Sequence, residues 1–300
     1  MPALLDLLTT HMSKGRTELH GKVCGLVGIS ADRDSFGKID YDRSARETYI
    51  YTARYIITST GSLDVIFIQQ NDDNLLKLPL WVTDWERRNL YPAHRVVGLR
   101  TRSNPQFKAS GSSTANISFS DNGEILVASG LVFDTITTLS KPLYVEGPES
   151  DVLPTLAAFH NWWTVFINNI GSTSEDLDVF QRTFCGGSWA PQYSEREFRE
   201  DQAQRITLFF GLMQRLAPQL LEGEPSMPLP NATIDEADEM REKRERALVS
   251  STALRMHAKR LAISEKKLAG LAPQSTKEDD KIVILMGCNF PVVMRPMNSY

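Results

Sequence analysis

Gly130-Leu-Val-Phe-Asp-Thr-Ile136 and Lys281-Ile-Val-Ile-Leu-Met286 are two apolar runs of strand length, set far apart in the chain. The second is unbroken in aliphatic residues, as expected of a strand buried on both faces. Before the first run, Ile117-Ser-Phe119 alternates, Asp121-Asn-Gly123 is a turn, and Ile125 to Val127 is apolar again. Residues 106–136 therefore read as a β-meander of two or three strands. The second run is preceded by short strand candidates at Arg260–Ile263 and Ala269–Leu271 and followed by Pro291–Met294. Two β segments of similar size on either side of a helical stretch predict one sheet, or a small barrel, interrupted by an insertion. The expected class is α+β: a helical N-terminal segment, then that interrupted sheet.

The insertion spans residues 151–258. Leu153, Leu156, Phe159, Trp162, Trp163 and Phe166 recur at helical spacing, and a second long amphipathic helix is predicted from Phe198 to Leu221. Glu222 to Pro230 is a Pro-rich connector. Thr233-Ile-Asp-Glu236 has capping-box spacing and opens a charged helix through Met240-Arg-Glu-Lys-Arg-Glu-Arg246, a density of mixed charge typical of a solvated face. Towards the N-terminus, residues 1–12 read as the end of a helix. Ser44 to Thr60 is the clearest helix, with Ser44 and Glu47 at capping-box spacing and Gly61 as a left-handed stop. Gly21 to Ser30 is too short for its period to separate helix from strand. Leu78 to Trp85 reads as extended because Pro79 disfavours helix, with Trp81 and Trp85 as anchors.

Three hundred residues with 41% hydrophobic content can build one large domain or two small ones. The expected division is 1–90, mainly helical, and 91–300, an α+β region with β-structure at 106–136 and 260–296. A net charge of −4 gives no electrostatic case for nucleic acid or an anionic membrane. No apolar run approaches the roughly 20 residues that span a bilayer. Met1 to Leu8 carries an acid and lacks a basic flank, unlike a signal peptide, so a cytoplasmic protein is expected. Cys24, Cys185 and Cys288 are odd in number and widely spaced, which supports neither a zinc knuckle nor a redox pair.

Leu19-His-Gly-Lys-Val-Cys-Gly-Leu-Val-Gly28, Asp40-Tyr41, Glu47-Thr-Tyr49, Thr60-Gly-Ser-Leu-Asp64 and Leu78-Pro-Leu-Trp-Val-Thr-Asp-Trp85 follow one another in that order. Together they resemble the region downstream of the signature of fungal heterokaryon-incompatibility (HET) domain proteins. The tryptophan segment is the most specific of these runs. In the C-terminal part, Ser264-Glu-Lys-Lys267, Gly270-Leu-Ala-Pro273, Glu278-Asp-Asp280 and Gly287-Cys-Asn-Phe-Pro-Val-Val-Met-Arg-Pro296 extend the likeness. Leu19, His20 and Gly21 depart from the family's Pro-Arg-Asp, and Asp279 stands where its turn has glycine. The likeness covers residues 4–136 and 250–300. It implies a role in vegetative (heterokaryon) incompatibility, self/non-self recognition or cell-death signalling, with protein partners. It also implies a truncated form, since most of the HET core is expected before this region. Two other classes remain open: a TIR-like NAD-cleaving enzyme, and a regulatory scaffold that binds full-length HET proteins.

The residues themselves nominate no catalytic, cofactor-binding or metal-ligating set, and the chain reads as non-enzymatic. Asp84 lies between two tryptophans, yet capping a turn is the simpler role for it and for Asp64. Glu47 reads as a helix-capping acid. Cys24 with His20 is too sparse for a nucleophile and base. His94 and His257 lack a ligand pattern, and His160, beside Trp162 and Trp163, reads as a packed histidine. Gly21 to Gly28 lacks the Gly-Lys-Ser/Thr ending of a phosphate loop, and Gly25 and Gly28 read as a helix–helix close-packing site. The aromatic stripe at 159–166 reads as core.

Overall fold

A computed structural model describes residues 1–11, 21–68, 76–85, 107–144, 152–184, 195–222, 243, 245–247, 249–250, 252–253 and 256–297, with backbone alone at 195–204. The element order is α1 (Leu4–Thr10), α2 (Gly21–Val27), α3 (Arg33–Phe36), α4 (Ala45–Thr60), β1 (Ile117–Phe119), β2 (Leu126–Ala128), β3 (Gly130–Leu139), α5 (Val152–Asn169), α6 (Ser174–Phe184), α7 (Glu195–Leu216), β4 (Lys259–Ser264), β5 (Ala269–Pro273), β6 (Lys281–Leu285) and β7 (Val292–Met294). The fold is α+β, as the sequence predicts. A five-stranded sheet of order β5-β4-β3-β6-β7 is interrupted by the helices that follow β3. The runs 130–136 and 281–286 are thus neighbouring strands. The meander is split, however: β1 and β2 form a separate two-stranded sheet, paired Ile117 to Ala128, Ser118 to Val127 and Phe119 to Leu126.

The chain divides into two compact units, Met1–Phe133 with Val283–Val292, and Asp134–Ile282 with Val293–Tyr300. The boundary expected near residue 90 falls outside the described residues, as do the Thr233–Glu236 capping box and the connector at 223–230.

The first unit is organised on α4. Ser44 Oγ accepts from the Glu47 N–H at 3.3 Å, and the Ser44 N–H donates to Glu47 Oε2 at 3.0 Å, so the capping box is closed. Gly61 ends the helix at φ +64°, its N–H bound to Ile57 O at 2.9 Å. Tyr49, Ala53, Ile56 and Ile57 sit in a core with Leu4 and Leu8 of α1 and Val23, Leu26 and Val27 of α2. The ambiguous Gly-rich run is therefore a helix. Gly25 and Gly28 are exposed on its outer side, so they are not a packing site between helices; the nearest atom to a Cβ at Gly28 would be Gly25 O. Leu78 to Trp85 is buried save for Leu80 and bends through a turn, with the Val82 N–H on Pro79 O at 2.9 Å.

The second unit buries the aromatic stripe as core. Phe159 lies 4.7 to 5.8 Å from the rings of Phe180, Phe184, Phe209 and Phe210. Trp162 is buried and donates its indole N–H to Lys141 O at 2.8 Å, which satisfies the polar handle of a core tryptophan. β4 pairs with β3 through Ile136 to Ser264 and Leu139 to Ala262, with an irregularity between Ile136 and Thr138. The turn before β6 is held by Asp280, whose carboxylate accepts from the Lys277 N–H at 2.8 Å and from Arg295 through two bonds of 2.8 Å. The Arg295 guanidinium accordingly holds the Asp280 carboxyl below its ordinary value. Burial opposes ionisation of Asp134, but bonds from Ser264 and from the N–H groups of Thr135 and Lys266 outweigh it and hold that carboxyl low as well.

Asp279 adopts φ +71°, the left-handed conformation in which the resemblance places glycine, and its N–H donates to Ile136 O at 2.9 Å. Asp279→Gly should therefore raise stability by up to about 1 kcal/mol in denaturant melts, the relief of the Cβ exceeding the added freedom of the unfolded chain. Asp134 and Asp280 predict an acid limb. Each has a folded pKa below its unfolded value, so its contribution is complete above about pH 4 and is lost as pH falls through the folded value. Thermal midpoints should decline on that limb, and Asp280→Asn should show a lower midpoint at neutral pH with a shallower acid decline.

Candidate functional site

The motif residues of the first unit converge on two polar junctions. At the first, Lys22 of α2 is 2% exposed and donates its Nζ to Trp85 O at 2.9 Å. A buried ammonium is costly unless it is hydrogen-bonded, so this bond ties α2 to the end of the tryptophan segment. Thr83 Oγ1 donates to Val65 O at 2.8 Å, and Asp84 is buried beside it in sequence. Among the described residues, the Trp85 Nε1–H and Thr48 Oγ1 are buried without a hydrogen-bond partner.

The second junction joins residues 225 apart. Asp64 Oδ1 accepts the Asn289 N–H at 2.9 Å, and Asp64 Oδ2 accepts from Asn289 Nδ2. The Leu63 N–H donates to Gly287 O at 2.9 Å, and the Ala115 N–H to Gly61 O at 2.7 Å. The Ala109 N–H reaches Asn289 O at 3.0 Å, and the Ser110 N–H reaches Cys288 O at 3.1 Å. Three stretches of backbone thus cross at Gly287, which has φ +78°. A Cβ there would lie 2.4 Å from Ala115 N and 2.8 Å from Gly61 O, so only glycine fits.

Trp81 is 8% exposed and links these motifs to the β1–β2 ribbon. Its ring lies 5.1 Å from that of Phe119, and its indole N–H donates to Glu124 O at 3.3 Å. Arg46 of α4 bonds Lys77 O at 3.2 Å and pairs with the Glu124 carboxylate. Arg54 stacks over Phe119 with its guanidinium 4.8 Å from the ring centre.

Of the groups weighed for chemistry, Asp64 is a positioning carboxylate and Glu47 a cap, held below its ordinary value by its bonds from Ser44. Burial raises the Cys24 thiol, and burial followed by the Asp64 charge pushes Cys288 up to about 12, so both are protonated thiols at neutral pH. His20, His94 and Cys185 lie outside the described residues. His160 is half-buried on α5, and His257 forms a bridge to Leu143. No group of His, Cys, Asp and Glu among the described residues is arranged to hold a metal ion. No described helix is long and apolar enough to cross a membrane.

Lys22 and Asn289 fall in runs of the resemblance, but the sequence assigns neither a role. Lys22 sits in an apolar run where its charge reads as a surface residue, and the partner of Asn289 is too distant in sequence for any local pattern to show. No protein-family model, curated protein or solved structure matches this chain.

Asp64→Ala should cost about 1–3 kcal/mol by leaving the Asn289 N–H and amide without an acceptor. Asn289→Ala should cost less, since its N–H keeps the bond. Denaturant melts of both single variants and the double variant should show strong non-additivity; additive losses would mean the two side chains do not act together.

Proposed function

We propose that this chain is a HET-like protein acting in fungal vegetative (heterokaryon) incompatibility, in self/non-self recognition or cell-death signalling. The supporting observation is the junction of Thr60–Asp64 with Gly287–Asn289. Both stretches belong to the resemblance and lie more than two hundred residues apart, and each supplies hydrogen-bond partners of the other. Leu78–Trp85 and Lys22–Val27, two further runs of the resemblance, contribute to the same core. A shared pattern of this kind is what a family retains when its motifs serve one packed unit. The groups brought together are mostly consumed in structure: buried thiols, capping acids and carboxylates bound to backbone. They suit a protein that works by contact, with HET-family or cell-death signalling proteins as partners.

The test is expression in fungal cells, alone and together with a full-length HET protein. Alone, the chain should leave viability unchanged. Co-expressed, it should change the killing by its relative and be recovered with it. NAD turnover by the purified chain is measured in parallel. Robust turnover that disappears on changing one carboxylate would replace this reading with the TIR-like NAD-cleaving enzyme.

A further inference from the structure

We propose that Asn122 is a built-in site of spontaneous deamidation, placed where the change reaches the Trp81 anchor. Asn122-Gly123 is the only Asn-Gly pair in the sequence. Asn122 is exposed in the turn between β1 and β2, while Gly123 beside it is buried next to Ile50. The reaction needs the Gly123 nitrogen to attack Asn122 Cγ, and glycine offers no side chain to hinder that approach. The attack places negative charge on Asn122 Oδ1. That oxygen already accepts two hydrogen bonds, from Ser120 Oγ at 2.7 Å and from the Glu124 N–H at 3.1 Å. Ser120 Oγ is itself fixed by the Ile125 N–H at 3.0 Å. Donors set on the oxygen where charge develops lower the barrier to addition.

In the step, a bond forms between Gly123 N and Asn122 Cγ. The Cγ–Nδ2 bond breaks, and the proton of the glycine nitrogen leaves with the amide as ammonia. Water then adds to either carbonyl of the cyclic imide and opens it to aspartate or isoaspartate. One water is consumed, one ammonia is released, and no electrons are transferred. The Gly123 N–H donates to Ser120 O at 2.9 Å in the closed turn, so the rate follows opening of that bond.

The product matters because of what Glu124 holds. Its carbonyl accepts the Trp81 indole N–H, and its carboxylate pairs with Arg46. Isoaspartate inserts a methylene into the main chain two residues before Glu124 and adds a carboxylate between Asp121 and Glu124. The tie from the ribbon to the tryptophan segment would then loosen with the age of the molecule.

The experiment incubates the full chain in neutral and mildly alkaline buffer and maps its peptides by mass and by enzymatic methylation of isoaspartate. Conversion at Asn122, faster at higher pH and severalfold above that at Asn116, Asn161 and Asn289, is the expected result. It should be accompanied by a shift in tryptophan emission that Asn122→Gln does not show. The proposal is overturned if Asn122 persists in the folded chain over the time in which the free peptide 117–128 converts completely. Conversion without any change in tryptophan emission would overturn the link to Trp81.

Discussion

The Asp64–Asn289 contact is the constraint on which the first unit depends. A carboxylate that accepts both a backbone N–H and a side-chain amide fixes position and orientation together. Around it, Gly61, Leu63, Ala115 and Gly287 pair their backbone groups across three stretches of chain. Loop backbone is normally kept at the surface because its polar groups need water. Here the stretches satisfy one another, so the turn after α4 can be buried and the α4 core can close over it.

The tryptophan segment shows the same economy of means. Trp81 and Trp85 supply bulk, but polar bonds set their places: the Trp81 indole on Glu124 O, and the Trp85 carbonyl on Lys22. Lysine is seldom fully buried. Its presence in α2 makes the attachment specific, because a helix rotated by one residue would leave an ammonium among aliphatic side chains. The core of the second unit is different in kind. Eight aromatic rings of α5, α6 and α7 pack against one another, mostly edge-on or stacked, and ring shape dominates their arrangement, with the Trp162 indole bond to Lys141 O added to it.

Local signals were legible in the sequence. The Ser44/Glu47 box and the Gly61 stop bound α4 as read, and the aliphatic run at 281 is the strand it resembles. The helical spacing of Phe159 to Phe166 marks a core face that the structure buries. Where the sequence fell short, the missing information was not local. The meander from 117 to 136 divides because β3 finds β4 and β6, strands whose residues lie over a hundred positions away, while among the described residues β1 and β2 pair only with each other. The exposure of Gly25 and Gly28 depends on which side of α2 faces α4, and a helix of seven residues gives too few turns to reveal it. Asp279 was legible as a turn residue, and its positive φ shows the left-handed conformation that such a turn uses.

The first unit includes residues 283–292, and the crossing at Gly287 lies at its centre. On the ribosome, the segment from α1 to β3 emerges long before the strand that completes its core. Until then the Leu63 N–H and the Asp64 carboxylate lack Gly287 and Asn289, and the apolar faces of α4 and the tryptophan segment stay incompletely covered. Synthesis at about 5–20 residues per second leaves that interval open for many seconds. The first unit therefore cannot complete its core from its own contacts until translation has passed Gly287 and Asn289.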